Sequence, residues 1–193
     1  MDLAEFKSLV LKGETDKVEF KSAYPKNAHN LAKEIAALAS TDGGYVLLGI
    51  ADDKSIVGLP GIVSALARRA LIERIEALCA QSISPAVSVV VKFVAVERGD
   101  VAVIIVPSKR GEIYYASGRP YIRSMSICRV ATPQEVKHRI LLDDVLRRLE
   151  ELESKPGSQS GVAVAIMGQG ELATMNRSDI LRIIEKRKSR QFP

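Results

Sequence analysis

Three acidic residues near the start of the chain have the types and spacing suited to metal-dependent phosphodiester chemistry. Glu19 lies in segment 17–21, where polar and apolar residues alternate as in a β-strand. Asp52 follows a second predicted strand, and Glu14 precedes the first. If the strands are neighbours, the carboxylates converge, and such a cluster binds Mg²⁺ or Mn²⁺, which activates water and stabilises a leaving oxygen. The alternative interpretation is an ion pair between Glu19 and Lys21 or an arginine.

Basic residues form a second group of candidates, for phosphate binding. Lys109 and Arg110 lie in a predicted loop, and Arg119 lies in a predicted hairpin. Cations in such places contact phosphates and give salt-dependent affinity with little sequence preference. The predicted nucleic-acid-binding residues are Lys21, Lys109, Arg110, Arg119 and Arg123. The net charge of +5 agrees with a polyanionic partner, although each cation taken alone is better explained as a solvated surface charge.

Other chemistries are excluded by motifs that the sequence lacks. No G-x4-G-K-[ST] segment occurs, so we expect no nucleoside triphosphate as a ligand. Cys79 and Cys128 are far apart, and with His29 and His138 they do not have zinc-site spacing, so two reduced thiols are expected. Neither a signal peptide nor an apolar run of about 18 residues is found. The sequence therefore predicts a soluble, cytoplasmic protein without membrane contact.

The elements that must position these candidates alternate between helical and strand patterns. An amphipathic helix at 2–12, the strand at 17–21 and an alanine-rich helix at 29–40 come first. The remaining predicted elements are a buried strand at 45–50, a short return strand at 56–59, a helix at 63–80, strands at 87–96 and 101–106, a hairpin of 114–116 with 121–123, and a helix from Thr132 to about Ser154. This order predicts an α/β (α+β) fold with a mixed, mostly antiparallel sheet packed by helices.

Composition divides the chain into three parts. Residues 1–154 form the predicted domain, and 155–161, with the sequence KPGSQSG, form a linker. Residues 162–193 form a predicted basic helical tail: from residue 156 onward, six Lys and Arg stand against three Asp and Glu. The last helix of the domain also carries an apolar stripe, composed of Val136, Ile140, Leu141, Val145, Leu149 and Leu152. This stripe either covers the sheet or forms a contact between subunits, and a homodimer is predicted.

Several segments in the same order resemble the Schlafen-type Alba-like domain. The resemblance covers roughly residues 10–140 and is carried by Glu14-x4-Glu19-Phe20-Lys21, Ser40-Thr41-Asp42-Gly43-Gly44, Gly49-Ile50-x-Asp52, Ile56-Val57-Gly58-Leu59 and Tyr121-Ile122-Arg123-Ser124-Met125-Ser126. Met125 departs from the pattern, because glycine is usual at that position in the family. A different turn is therefore expected there.

The resemblance implies an Alba-like core that binds RNA or DNA. The predicted tail at 162–193 adds a C-terminal helical appendage to this core. In Schlafen ribonucleases, the carboxylates that match Glu14, Glu19 and Asp52 form the site that cuts structured RNA such as tRNA. Counting from Gly49 favours Asp52 as the third carboxylate, with Asp53 as the alternative. The competing functions are therefore a Mg²⁺- or Mn²⁺-dependent endoribonuclease, a nucleic-acid-binding module without cofactor, and an oligomerising scaffold.

Overall fold

The structure is a computed structural model that describes residues 3–153. The helices are α1 (Leu3–Lys12), α2 (Ala28–Ser40), α3 (Ala65–Ser82) and α4 (Pro133–Glu153). The strands are β1 (Val18–Lys21), β2 (Gly44–Leu48), β3 (Ile83–Ser84), β4 (Val90–Val96), β5 (Gly99–Val106), β6 (Tyr115–Ala116), β7 (Arg119–Ser124) and β8 (Ile127–Val130). The chain divides into two compact units, Met1–Ile140 and Leu141–Pro193, and the fold described below belongs to the first. The predicted linker and basic tail lie outside the described residues.

The first sheet has the strand order β1-β2-β5-β4. β1 and β2 are parallel, with Val18 opposite Tyr45, and the other pairs are antiparallel. A parallel pair needs a crossover connection, which α2 supplies. The chain enters β2 through Gly44, where a Cβ atom would collide with the carbonyl oxygen of Lys17, the residue just before β1. The glycine therefore permits the close approach of the two strands.

The second sheet is antiparallel throughout, in the order β3-β6-β7-β8. Ser117 and Gly118 join β6 to β7 with φ angles of 49° and 75°, as in a type I′ hairpin turn. The two sheets together confirm the predicted mixed, mostly antiparallel architecture packed by helices. The hairpin of β6 and β7 was predicted, whereas β3 and β8 were not.

The core lies on both faces of the first sheet. One cluster joins α2 and α3 to the sheet through residues such as Ile35, Ile75 and Val46, and the other joins α1 through Phe6 to residues such as Leu47. Val46 and Leu47 therefore pack on opposite faces, as the two-residue period of a strand requires. β2 is covered on both sides, which explains why its sequence is continuously apolar.

The segment predicted as a return strand is instead irregular. It contributes two isolated bridges, Ile50 with Ile56 and Leu59 with Asp100. Between them Gly58 has a φ angle of 66° and packs against the carbonyl of Arg98, so the chain changes direction before a ladder can form. No helix within residues 3–153 combines the length and the apolar composition needed to cross a membrane.

The beginning of α4 forms a capping box. The Thr132 amide donates to Glu135 Oε2 at 2.8 Å, and the Glu135 amide donates to Thr132 Oγ1 at 3.3 Å. One turn further, Arg139 Nη2 donates to the carbonyl of Thr41 at 2.6 Å, just beyond the end of α2. The guanidinium thus satisfies a helix-end carbonyl and fixes the start of α4.

Candidate functional site

A buried arginine on β7 connects the two sheets. The side chain of Arg123 is 0% exposed, and its Nε and Nη2 donate to the carbonyls of Thr15 and Val18 at 2.9 and 3.0 Å. Its guanidinium also forms ion pairs with Glu19 Oε2 at 2.7 Å and Glu34 Oε2 at 3.1 Å. β7 belongs to the second sheet and Glu19 to β1 of the first. Arg123 therefore joins the two sheets through charge-assisted hydrogen bonds.

A fourth charge completes this group. The Lys21 ammonium pairs with Glu19 Oε1 and is partly exposed. We call Glu19, Lys21, Glu34 and Arg123 the Arg123 cluster. The pKa of Glu34 is raised above its ordinary value, first by burial and then by repulsion from Glu19. Attraction to Lys21 and Arg123 offsets only part of this rise. Two carboxylates and two cations offset each other, which is the condition under which buried charges are tolerated.

The structure places the three predicted catalytic carboxylates in different environments. Glu14 is exposed, and its Oε1 accepts the amide of Phe20 at 2.9 Å. Glu19 is buried in the Arg123 cluster, and Asp52 lies on an exposed turn. The turn comes shortly after Gly49, whose amide donates to the carbonyl of Lys21, the last residue of β1, at 2.7 Å. The strands are therefore neighbours, as the carboxylate hypothesis requires, but Glu19 is held by cations.

The predicted metal ligands do not form one donor set. Within residues 3–153, no three His, Cys, Asp or Glu side chains are grouped so as to hold a metal ion. Glu19 already has two cationic partners, so its oxygens are neutralised without Mg²⁺ or Mn²⁺. The alternative interpretation of Glu19, an ion pair with Lys21 or an arginine, is the observed arrangement. Asp53 is likewise occupied, because it accepts the Ser55 amide at 2.9 Å; hydrogen bonds from the Ser55 side chain and then from this amide lower the pKa of Asp53.

The predicted phosphate-binding residues divide into exposed and engaged side chains. Arg110 is exposed on a loop, Arg119 is exposed at the start of β7, and Lys109 is exposed but pairs with Glu112 at 3.1 Å. Lys21 is partly exposed and pairs with Glu19. Arg123 requires a correction: its guanidinium is buried and donates to four protein groups, so in this structure it cannot reach a phosphate.

Sequence reasoning missed Glu34. The residue lies on α2 between Leu31 and Leu38, three and four positions away, so it interrupts the buried stripe of the helix. A charged residue on an apolar stripe predicts a buried partner. Thr41 joins the same region, since its Oγ1 accepts the Arg123 amide at 3.1 Å and donates to the Ala37 carbonyl at 2.7 Å.

These features define an α+β domain in which a mixed sheet and an antiparallel sheet are joined by a buried arginine with two glutamates. The chain belongs to the Schlafen, AlbA_2 family, whose model matches residues 14–132. The match contains the whole Arg123 cluster and every predicted site residue. The resemblance noted from the sequence is thereby confirmed.

Two solved structures are similar to the chain. The DIP2311 protein from Corynebacterium diphtheriae is 20% identical, with a TM-score of 0.50, and the match covers 73% of this chain and 33% of that one. The N-terminal domain of a putative ATP-dependent DNA helicase RecG-related protein from Nitrosomonas europaea is 23% identical, with a TM-score of 0.42, covering 65% and 90%. This chain thus spans about a third of the length of the first protein, and the likeness to it concerns the fold. No curated protein matches the chain.

Proposed function

We propose that the chain is a cytoplasmic module that binds nucleic acid, RNA or DNA, with little sequence preference. The supporting observation is that a family domain presents exposed cations at a hairpin and on a loop. Arg119, at the start of β7, is exposed and has no carboxylate at ion-pair distance within residues 3–153, and Arg110 is exposed on the loop between β5 and β6. The net charge of +5 adds long-range attraction for a polyanion.

Contacts of this kind give an affinity that depends on salt. Each phosphate neutralised by a lysine or arginine lowers the slope of log K against log salt by about 0.9 on duplex DNA and about 0.7 on single strands. Fluorescence anisotropy with labelled tRNA and duplex DNA, between about 50 and 200 mM salt, measures this slope. A steep negative slope supports the proposal. Absence of binding to both ligands at the lowest salt would contradict it.

Cleavage of structured RNA through Glu14, Glu19 and Asp52 is the second candidate. The observation in its favour is the position of the exposed turn of Asp52 beyond the strand beside β1. Incubation of labelled tRNA with Mn²⁺ or EDTA tests it. Asp52→Ala is a cleaner variant than Glu19→Ala, because the latter also removes a partner of Arg123. Metal-dependent cleavage that Asp52→Ala abolishes would establish the nuclease, whereas intact tRNA would leave a binding module.

The homodimer is also a proposal. α4 carries three apolar residues of its predicted stripe with substantial exposure: Ile140 and Leu141 at 52% and Val145 at 37%. Burial of such residues against a second copy would stabilise the dimer by about 25 cal/mol for each Å² of apolar surface removed from water. Sedimentation velocity at micromolar concentration tests the proposal, and a monomer alone would contradict it. A dimer that binds no nucleic acid would favour the scaffold function instead.

A further inference from the structure

Many basic side chains of the described domain are neutralised by acidic neighbours. These ion pairs are Lys21 with Glu19, Arg68 with Asp100, Arg69 with Glu73, Lys109 with Glu112, and Arg129 with Glu135. A neutralised cation attracts a phosphate less than a free one. Lys26, Arg74 and Arg119 are among the described cations that differ, because within residues 3–153 no carboxylate lies at ion-pair distance from them. They lie on neighbouring elements of the first unit.

Arg74 has an aromatic partner in place of an acidic one. Its Cζ lies 3.8 Å from the centroid of the Tyr24 ring, so the guanidinium covers the face of that ring. The ring is half-buried and packs against the core, while Arg74 is exposed. The tyrosine therefore holds a planar cation at the surface by a cation–π contact. The charge of Arg74 remains available to a ligand.

The β6–β7 hairpin is fixed beside the first turn of α2. Ser117 Oγ lies 3.1 Å from His29 Nδ1, and the Ser117 amide donates to the Ser82 carbonyl at 3.3 Å. The His29 ring also meets the edge of Tyr121, with 6.2 Å between centroids. Arg119 follows this turn directly. Its backbone is therefore held near α2 and the end of α3.

α3 connects the Tyr24–Arg74 contact to the β6–β7 hairpin. Arg74 lies eight residues before Ser82, a distance of about 12 Å along the helix. Tyr24 and Lys26 lie in the loop that leads into α2. We call Tyr24, Lys26, His29, Arg74 and Arg119 the α2–α3 patch. It combines three cations without acidic partners, a stacked guanidinium plane and a histidine.

We propose that the α2–α3 patch binds single-stranded nucleic acid, with a base on the outer face of the Arg74 guanidinium and phosphates at Lys26 and Arg119. The proposal rests on the proposed function and gives it a surface and a ligand class. Guanidinium planes stack on unpaired bases, and such stacking tolerates every base. Bases within a duplex are already stacked on each other. A planar cation held on a tyrosine therefore favours a single strand.

Arg74 provides the decisive variants. Arg74→Lys keeps the charge and loses the plane, whereas Arg74→Gln loses both. Loss of one stacked base costs about tenfold in affinity for a labelled single-stranded oligonucleotide, so we expect this loss in both variants, with the greater loss in Arg74→Gln. Arg69→Gln is the matched control, because Arg69 lies on the same helix, is exposed and pairs with Glu73. It should bind as the wild type does, and thermal melts should show all three variants folded.

The phosphate contact has its own readout. Arg119→Gln should weaken binding several-fold and make the slope of log K against log salt less steep by about 0.7, since one phosphate contact is lost from the single strand. Matched duplex should bind less tightly than the single strand and should respond little to Arg74→Lys.

The outcomes separate the patch from the proposed function. Wild-type protein that binds nucleic acid while Arg74→Lys and Arg74→Gln bind equally well would overturn the patch and leave the function standing. Preference for duplex over single strand would also overturn it. Wild-type protein that binds neither ligand at low salt would overturn the proposed function, and the patch would fall with it.

Discussion

Arg123 shows how one side chain determines the environment of several others. Its guanidinium neutralises Glu19 and Glu34 and satisfies two carbonyls in a region without solvent access. The pair of glutamates is tolerated only while the arginine is present, because buried carboxylates without partners carry a large desolvation cost. These contacts give Arg123 a role in folding.

We expect Arg123→Met to lower the free energy of unfolding by about 3–5 kcal/mol, because it leaves Glu19 and Glu34 without their shared cation. Urea unfolding measures the change. Arg119→Met, an exposed residue of the same strand, should change stability by less than about 0.5 kcal/mol. Adding Glu34→Gln to Arg123→Met should recover part of the loss. A cost below about 1 kcal/mol for Arg123→Met would mean that the cluster contributes little.

Met125 is a second residue whose conformation has a measurable consequence. It occupies the family's usual glycine position and has a φ angle of 54° at the turn between β7 and β8, in the left-handed region that favours glycine. Its side chain is 64% exposed, so little packing would be lost on removal. Met125→Gly should raise the free energy of unfolding by about 0.5–1 kcal/mol, because left-handed backbone strains every residue except glycine.

The control for this prediction is the next residue of the same turn. Ser126 does not adopt a positive φ angle, so Ser126→Gly should leave stability unchanged or lower it through the added freedom of the unfolded chain. Differential scanning calorimetry measures both variants. A lower melting temperature for Met125→Gly than for Ser126→Gly would contradict the argument.

At the scale of elements, the start of α4 depends on an acidic residue that both caps the helix and pairs with β8. Glu135 accepts from Arg129 at 2.6 and 2.9 Å and from the Thr132 amide. The Arg129 guanidinium, with help from Thr132, lowers the pKa of Glu135 to about 2. Because the folded-state pKa is depressed, the ionised form contributes stability above the ordinary pKa of 4.5, and this contribution is lost as pH falls toward 2.

Glu135→Gln should therefore lower the free energy of unfolding at neutral pH. Between pH 4.5 and 2, the free energy of unfolding should fall less steeply in this variant than in the wild type. The pair is more than a third exposed, so solvent screening limits the effect to about 1 kcal/mol or less. Denaturant titrations of both proteins across this pH range measure the difference. Parallel pH profiles for the wild type and Glu135→Gln would show that the pair contributes nothing.

At the scale of the whole molecule, structural features set by residues close together in the chain could be predicted from the sequence. Contacts between residues far apart in the chain could not. The strand containing Glu19, the glycine turn into β2 and the capping box of α4 are local patterns, and the structure contains all three. The burial of Arg123 depends on Glu19, which is far away in the chain. β8 has the sequence Ile-Cys-Arg-Val, which does not alternate polar and apolar residues and so does not stand out from a loop. Pairing across the sheets, not residue type, decides which cations reach the surface.

The distribution of charge over the whole chain leads to the last prediction. The segment from residue 156 to the end carries +3 of the net +5, including the run Lys186-Arg187-Lys188. Replacing these three residues with glutamine in the full chain reduces the net charge to +2 and leaves the domain sequence intact. Nucleic-acid binding should weaken at low salt for single strands and duplexes alike, with a salt slope less steep by up to about 3 on duplex DNA. Anisotropy titrations at several salt concentrations measure the slope, and an unchanged slope would confine the phosphate contacts to the remainder of the chain.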